Sequence, residues 1–474
     1  MSRASAAHGG PVVALRRARA AWRRVETATR PVAPDLVAAL ARRWQELPDA
    51  VRTPAQLLGR RTTGCEGTHG VFPRCNLACT PCYHGAEANR VAIDGAHTIA
   101  EVDRQMAMLR SQRGPGQHAQ LIGGEVTLLD PDDHAAALET MQRHGRKPMS
   151  MTHGDFDYDY LRRLALGPDG RPRFSLLRFA GHFDSLMLGR HGHARPSREA
   201  ELDGARRAFV ATFARLRSEH GVDFDLAHNM TVTPRNLNEV AQVTRACLTM
   251  GYGMLSFQPA ARVGNPRRWR EDYTEMTIDA VWREIERGVG TRLPWEHLQM
   301  GDARCNRAAY GVLCGRRWVA LLDDRDPRDL RARDRFLATF GAMDFERPRS
   351  EVVAAVARVI IRHPDVVATA TGWALRLSRR IGVGGLRAGR PRGMTFVVHA
   401  FMDGSVVRRA WEGMQTGVEC ADDAGRAAQE RLRACSYAMA HPDDGVLVPA
   451  CVQHGVLDQD ENRRLLVELP MAPV

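Results

Sequence analysis

Three cysteines share one short stretch, Arg74-Cys75-Asn76-Leu77-Ala78-Cys79-Thr80-Pro81-Cys82-Tyr83-His84. The spacing is C-x3-C-x2-C. Thiolates on so short a loop can hold three irons of a 4Fe–4S cube and leave the fourth iron open. An open metal position admits a substrate or cofactor, by the logic of an open catalytic zinc. A structural zinc loop is the plainer alternative. Zinc usually takes four ligands, spaced as two C-x2-C pairs or completed by histidines. His84, two residues past Cys82, offers only a tight fourth.

A second segment reads Leu121-Ile122-Gly123-Gly124-Glu125-Val126-Thr127-Leu128. Paired glycines permit close backbone approach, and a carboxylate can accept from an ammonium. The glycines alone would also suit a tight turn.

These residues need a frame. Strands are expected at 69–74, 119–122, 148–153, 174–180, 224–233 and 254–259. Helices are expected at 98–112, 130–144, 158–165, 198–219, 236–250 and 276–286. Strands alternating with helices argue for a parallel sheet with right-handed crossovers. The fold class is therefore α/β, a partial (β/α)6 TIM-like barrel. In such folds chemistry sits at the C-terminal strand ends. The two segments above stand there, as do Asp184, Asn229, Thr231 and Gln258. Those four are candidates for cofactor contact; helix capping or surface polarity would explain each one singly.

Around that core, 1–64 reads as a basic helical arm with helices at 12–27 and 34–46. The barrel takes 65–290. A helical extension fills 291–395, with helices at 351–362 and 369–380 and a Gly/Arg-rich linker at 382–393. A cysteine-containing segment, 396–474, closes the chain.

The chain has 474 residues, 44% of them hydrophobic and 26% charged, as a globular protein does. No run of about 18 uncharged apolar residues is present, and nothing before Arg16 resembles a signal peptide, so a cytoplasmic location is expected. Net charge is +12, from 67 basic and 55 acidic residues. Lys147 is the one lysine. The arginines are interleaved with acids, and no nucleic-acid partner is expected. A cysteine content of ten is no disulfide scaffold at this length; clustered cytosolic cysteines read as metal ligands or redox groups.

Cys75–Cys82 with Tyr83 behind it resembles the cluster loop of the radical S-adenosylmethionine enzymes, and Gly123-Gly124-Glu125 resembles that superfamily's Gly-Gly-Glu. The resemblance implies a 4Fe–4S cluster on Cys75, Cys79 and Cys82, with S-adenosylmethionine on the open iron. It places Tyr83 beside the adenine and Gly123–Glu125 at the methionine ammonium. It implies an oxidoreductase fed by a ferredoxin- or flavodoxin-like electron donor, generating a 5′-deoxyadenosyl radical that abstracts an unactivated hydrogen from an organic substrate.

Other segments resemble the tetraether lipid synthase branch: Phe183-Asp184, Phe257-Gln258-Pro259 with Gly264, Phe401-Met402-Asp403, Arg433-Ala-Cys435, His441–Gly445 and Val448-Pro449-Ala450-Cys451. The N-terminal zinc-ribbon cysteines of that branch are absent, Cys65 alone preceding the triplet. A second 4Fe–4S cluster is expected on Cys305, Cys435 and Cys451, with Cys314 or Cys420 as the fourth ligand; buried apolar cysteines are the alternative. Cys247 reads as core.

The expected activity is C–H functionalisation of a lipid-like substrate. Modification of a peptide or small metabolite, including radical methyl transfer, is the alternative. A non-catalytic zinc or nucleic-acid-binding module is a remote third. The arginines at 376–392, with the helices at 351–380, also admit peripheral contact with an anionic membrane.

Overall fold

The computed structural model describes residues 32–84, 86–264 and 276–471, with Ala18 and Trp22. The helix expected at 12–27 lies outside the described residues, those two positions apart. Among the described residues no helix is long and apolar enough to cross a membrane.

The first helix, α1 (Pro34–Glu46), has proline in its first turn, where a missing N–H costs nothing. The chain then enters β1 (Cys65–Gly67), the short β2 (Ala78–Cys79) and α2 (Gly95–Arg113). The Asp94 side chain caps α2 by accepting from the His97 amide. Next come β3 (His118–Leu121), α3 (Pro131–Arg143), β4 (Lys147–Thr152), α4 (Tyr158–Ala165), β5 (Leu176–His182) and the short β6 (Met187–Leu188). They are followed by α5 (Asp203–His220), β7 (Asp223–Val232), α6 (Val240–Cys247), β8 (Met254–Pro259) and α7 (Ile278–Val289).

The strands β1, β3, β4, β5, β7 and β8 lie side by side in that order, every neighbouring pair parallel. The expected alternation is therefore present, but the sheet does not stop at six strands. A hairpin, β9 (Asn306–Cys314) and β10 (Arg317–Ala320), leads into α8 (Pro327–Phe340), α9 (Arg349–Arg362) and α10 (Asp365–Arg387). Then come β11 (Arg392–His399), α11 (Gly404–Thr416), α12 (Asp423–Arg433), β12 (Tyr437–His441), β13 (Val446–Pro449), α13 (Ala450–Val452) and α14 (Asp458–Glu468). β11 adds parallel to β8 and β12 adds parallel to β1. The hairpin of β9 and β10 and the strand β13 extend the two ends antiparallel. One eleven-stranded, mostly parallel sheet results, and residues from 65 to 449 contribute to it.

Two local expectations are corrected. The first strand lies at Cys65–Gly67, not at 69–74. Gly70 turns the chain with φ +64°, and Pro73 has no N–H for a ladder. Half of the linker expected at 382–393 is helix: α10 continues through a kink at Gly382, φ +70°, to Arg387, and β11 begins at Arg392. Gly385 lets it close on Ile381 and the Cys314 Cβ.

The main core lies between this sheet and helices α2 to α7. Leu109, Leu121, Leu138, Phe179, Phe213, Leu226, Leu255 and Phe396 are all fully enclosed in it. Cys247 belongs to it as read. Arg206 on α5 is buried with them, and it bonds Glu199, Asp203, the Phe183 carbonyl and His228. A buried guanidinium persists because each of these acceptors offsets its lost hydration.

Candidate cluster and cofactor site

The triplet follows β1 at the C-terminal edge of the sheet. The chain does not leave β1 freely. The Thr68 hydroxyl exchanges hydrogen bonds with the backbone of Ile122, the Gly124 amide donates to Phe72 O at 2.8 Å, and the Glu125 amide donates to Arg74 O at 2.9 Å. The loop carrying Cys75 is thus stitched to the paired glycines after β3. Glycine is needed for it: a Cβ on Gly124 would lie 2.1 Å from Arg74 O and 2.2 Å from Pro73 O.

The middle cysteine is fixed from another side. Cys79 pairs with Met187 in the ribbon of β2 and β6, and the Thr80 amide donates to Leu186 O at 3.0 Å. That segment follows Asp184 at the end of β5. The third cysteine is followed by Tyr83, over which Gly264, beyond β8, closes so tightly that a Cβ there would be 2.3 Å from Tyr83 O. One loop therefore touches the segments that follow β3, β5 and β8.

All three thiols act on the same group. Burial pushes the Tyr83 phenol well above its usual range, and Asp458 and the thiols of Cys82, Cys75 and Cys79 add to the effect. Among the described residues no three His, Cys, Asp or Glu side chains close on a single-ion site. Thiolates of a four-iron cube each sit on their own iron and need not converge on one point. His84, the alternative zinc ligand, is driven down to about 4 by burial, and its Nε2 is buried without a protein partner.

Glu125 is 1% exposed and already engaged. Its Oε1 accepts from the Thr127 amide, the Thr127 hydroxyl and the Thr152 hydroxyl, and its Oε2 accepts from the His153 amide at 2.7 Å. The side chain expected to meet an ammonium is first of all the brace between the Gly-Gly turn and β4.

Asp184 is similar. It accepts from the amides of Thr231 and Leu186 and lies 2.7 Å from His182 Nε2. Burial would raise its pKa, but His182 and those amides outweigh it and hold the carboxyl below the usual range. Parallel partners in register share a face. His182, Asn229 and Ser256 form one row, and Thr231 and Gln258 the next. Asn229, Thr231 and Gln258 are therefore brought together. Gln258 Nε2 donates to Ser256 at 2.7 Å, while its Oε1 is buried without a protein partner.

Several site residues were not anticipated. His153, directly after β4, meets Asn76 inside the triplet at 2.7 Å. Arg190 is buried, donates to His182 O, and has an Nε without a protein partner. Burial lowers its pKa; Asp155, Asp184, Glu125 and Cys79 oppose that. The His454 ring lies 4.4 Å from that of Tyr83 and pairs with Asp458 at 2.7 Å, so the C-terminal helix covers the triplet loop. Only the position of His153 at a strand end was a usable signal; Arg190 and His454 follow no local pattern that marks them.

The C-terminal cysteines divide. Cys435 interacts electrostatically with Cys305, Cys451 and Cys65. The backbone explains the grouping. Cys65 faces Tyr437 in the β1–β12 ladder, and its amide donates to Ser436 O at 2.7 Å. Cys451 stands two residues past Pro449, the partner of Ala438. Arg431 donates to Cys305 Sγ at 3.0 Å. Cys314 instead packs with Val319 and Ile381, and Cys420 lies by Gly413 and Gly425. Cys314 and Cys420 thus lie in other surroundings, whereas Cys65 interacts with Cys435. The Tyr437 hydroxyl donates to Gln120 Oε1 at 2.9 Å, and its pKa is raised first by burial and then by Cys65, Tyr83 and Cys435.

No family model and no curated protein matches the chain. Among solved structures, native anSMEcpe with bound AdoMet and the Cp18Cys peptide is similar at 13% identity over 48% of this chain and 58% of that one, with a TM-score of 0.31. A polyhistidine-tagged anSMEcpe with bound AdoMet gives 14% identity, 47% and 57% coverage, and a TM-score of 0.32. The similarity spans less than two thirds of those chains, and likeness at this level leaves the family of this chain open.

Proposed function

We propose that this chain is a radical S-adenosylmethionine enzyme, with Cys75, Cys79 and Cys82 as the ligands of a 4Fe–4S cluster. The observation that carries the reading is the pair of backbone bonds, Gly124 to Phe72 and Glu125 to Arg74, that hold the Gly-Gly-Glu turn against the cysteine loop. A chance cysteine triplet would have no reason to be joined to that turn at the C-terminal edge of a parallel sheet.

Held by Cys75, Cys79 and Cys82, the cluster would supply one-electron reductive cleavage of S-adenosylmethionine, with methionine as the leaving group. The chain's own residues do the rest. Arg190, with its free donor direction beside Cys79, suits a carboxylate. Gly123 and Gly124 let the turn close on Phe72, Pro73 and Arg74, and Glu125, held by Thr127, Thr152 and His153, supplies negative charge to an ammonium beside that turn. Tyr83 and Gln258 offer an aromatic face and a buried acceptor to a nucleoside. His454, Asp458 and the last helix cover the Tyr83 end of the loop.

The second thiol group suits a second 4Fe–4S cluster on Cys65, Cys305, Cys435 and Cys451. The substrate class is an aliphatic C–H donor, lipid-like as first choice, with a peptide or small metabolite as the alternative. The electron donor is a reduced ferredoxin- or flavodoxin-like protein.

The test is anaerobic reconstitution with counting of iron and sulfide, then assay for 5′-deoxyadenosine after reduction. Cleavage that disappears in a Cys75/Cys79/Cys82→Ala variant supports the reading. Bound zinc without iron uptake, and no deoxyadenosine, would sink it in favour of a structural metal module.

A further inference from the structure

The helices α9 and α10 follow one another across His363 and Pro364. A surface helix normally turns its apolar stripe to the core and its charges to water. These two bury apolar residues, among them Val359, Val366 and Ile381, and carry further apolar residues on the outside. On α9, Val353, Ala357 and Ile361 recur at four-residue spacing, and all are exposed, Val353 at 67% and Ile361 at 79%. Val359 is the buried residue of that helix. On α10, Val367 is exposed at 46%, Leu375 at 54% and Val383 at 65%.

The charges are sorted as well. The inward arginines of α10, Arg376 and Arg380, bond the buried Asp329 of α8 at 2.6 and 2.7 Å and fasten the helix to the body. The outward ones, Arg358 on α9 and Arg379 and Arg387 on α10, are exposed among the apolar residues. The acids of the two helices, Glu351 and Asp365, are paired with Arg347 and Arg335. The exposed face is apolar and cationic together.

A clustered apolar surface of this kind marks an interaction site. Its arginine fringe selects the occupant. A headgroup region with negative charge satisfies both components at once, the apolar side chains entering its acyl boundary and the guanidinium groups meeting phosphate. We propose that the outer face of α9 and α10 docks on an anionic lipid bilayer. This rests on the two helices and not on the cluster chemistry.

The full-length protein would be sedimented with vesicles of phosphatidylcholine alone and of phosphatidylcholine with phosphatidylglycerol. Binding is expected with the second vesicles only, and it should weaken as salt rises. I361E/L375E should abolish it. R358Q/R379Q should weaken it by roughly fivefold per arginine removed, with unchanged circular dichroism and elution volume. Equal binding to both vesicles, no binding, or binding unchanged in I361E/L375E would overturn the proposal. A wild-type dimer that becomes monomeric in I361E/L375E would also overturn it, giving the face to a second copy of the chain.

Discussion

The amide of Glu125 donates to the carbonyl of Arg74 at 2.9 Å, so the residue after the paired glycines is bonded to the residue before the first triplet cysteine. Two segments about fifty residues apart in sequence thereby become one structural unit. The same Glu125 uses its carboxylate to hold Thr127, Thr152 and His153, and His153 reaches back to Asn76 between Cys75 and Cys79. The cysteine loop is braced by backbone on one side and by a side-chain chain of contacts on the other.

Gly124→Ala tests the brace. Its Cβ would meet the carbonyls of Arg74 and Pro73, at 2.1 and 2.2 Å, and backbone cannot swing aside as a side-chain tip can. The loop must shift, at a cost of about 1–3 kcal/mol. The expected result is poor iron retention at the triplet with little change in the helical spectrum. Normal iron content in the variant would show that the close approach does not matter to the loop.

Cys65→Ser separates two ligand sets. Cys65 shares the β1–β12 ladder with Tyr437 and interacts with Cys435, whereas Cys314 packs among Val319 and Ile381. In reconstituted protein with the triplet replaced by alanine, Cys65→Ser should lower the remaining iron and alter its electron paramagnetic resonance signal. Cys314→Ser and Cys420→Ser should leave both unchanged. Equal effects of all three would mean that the second cluster is not held as described.

Arg206→Met probes the scaffold behind Asp184. Arg206 and Glu199 are both fully buried at 2.7 Å, and Glu199 Oε1 also accepts from the Ser185 amide next to Asp184. Removing one partner of a buried ion pair costs about 3–5 kcal/mol. The double variant Arg206→Met/Glu199→Gln should recover much of that loss, since no uncompensated charge remains. Denaturant titration of the three proteins reads the difference, and a double variant as weak as the single would argue that packing, not charge, is lost.

How much of this was legible in sequence depended on distance along the chain. The β3, β4, β5, β7 and β8 strands announce themselves by local apolar runs, and the triplet and Gly-Gly-Glu are contiguous. The first strand was misplaced because the apolar Val71 and Phe72 suggested a ladder that Gly70 and Pro73 prevent. Partners of high sequence separation leave no local trace: Cys65 with Tyr437, Gly264 against Tyr83 O, His454 with the Tyr83 ring. The same limit hid the interaction of Cys65 with Cys435.

The pair of His69 and Glu461 carries the last prediction, a pH dependence of the closure over the triplet. His69 Nδ1 lies 2.7 Å from Glu461 Oε1, and Nε2 lies 2.7 Å from Ala440 O. Burial alone would lower its pKa, but the Glu461 carboxylate and the Ala440 carbonyl outweigh burial and raise it above the ordinary 6.5. A group whose folded pKa is raised stabilises fully below its unfolded value and loses that contribution as pH rises through the folded value. His441, stacked at 4.0 Å on His69, has its pKa lowered, first by burial and then by His69, and works in the opposite sense. Wild type must therefore be compared with His69→Gln at each pH. The stability gap between them is expected to be largest near pH 6 and to shrink as pH rises toward 9. A gap that grows with pH would mean that neutral His69 is the form the fold prefers.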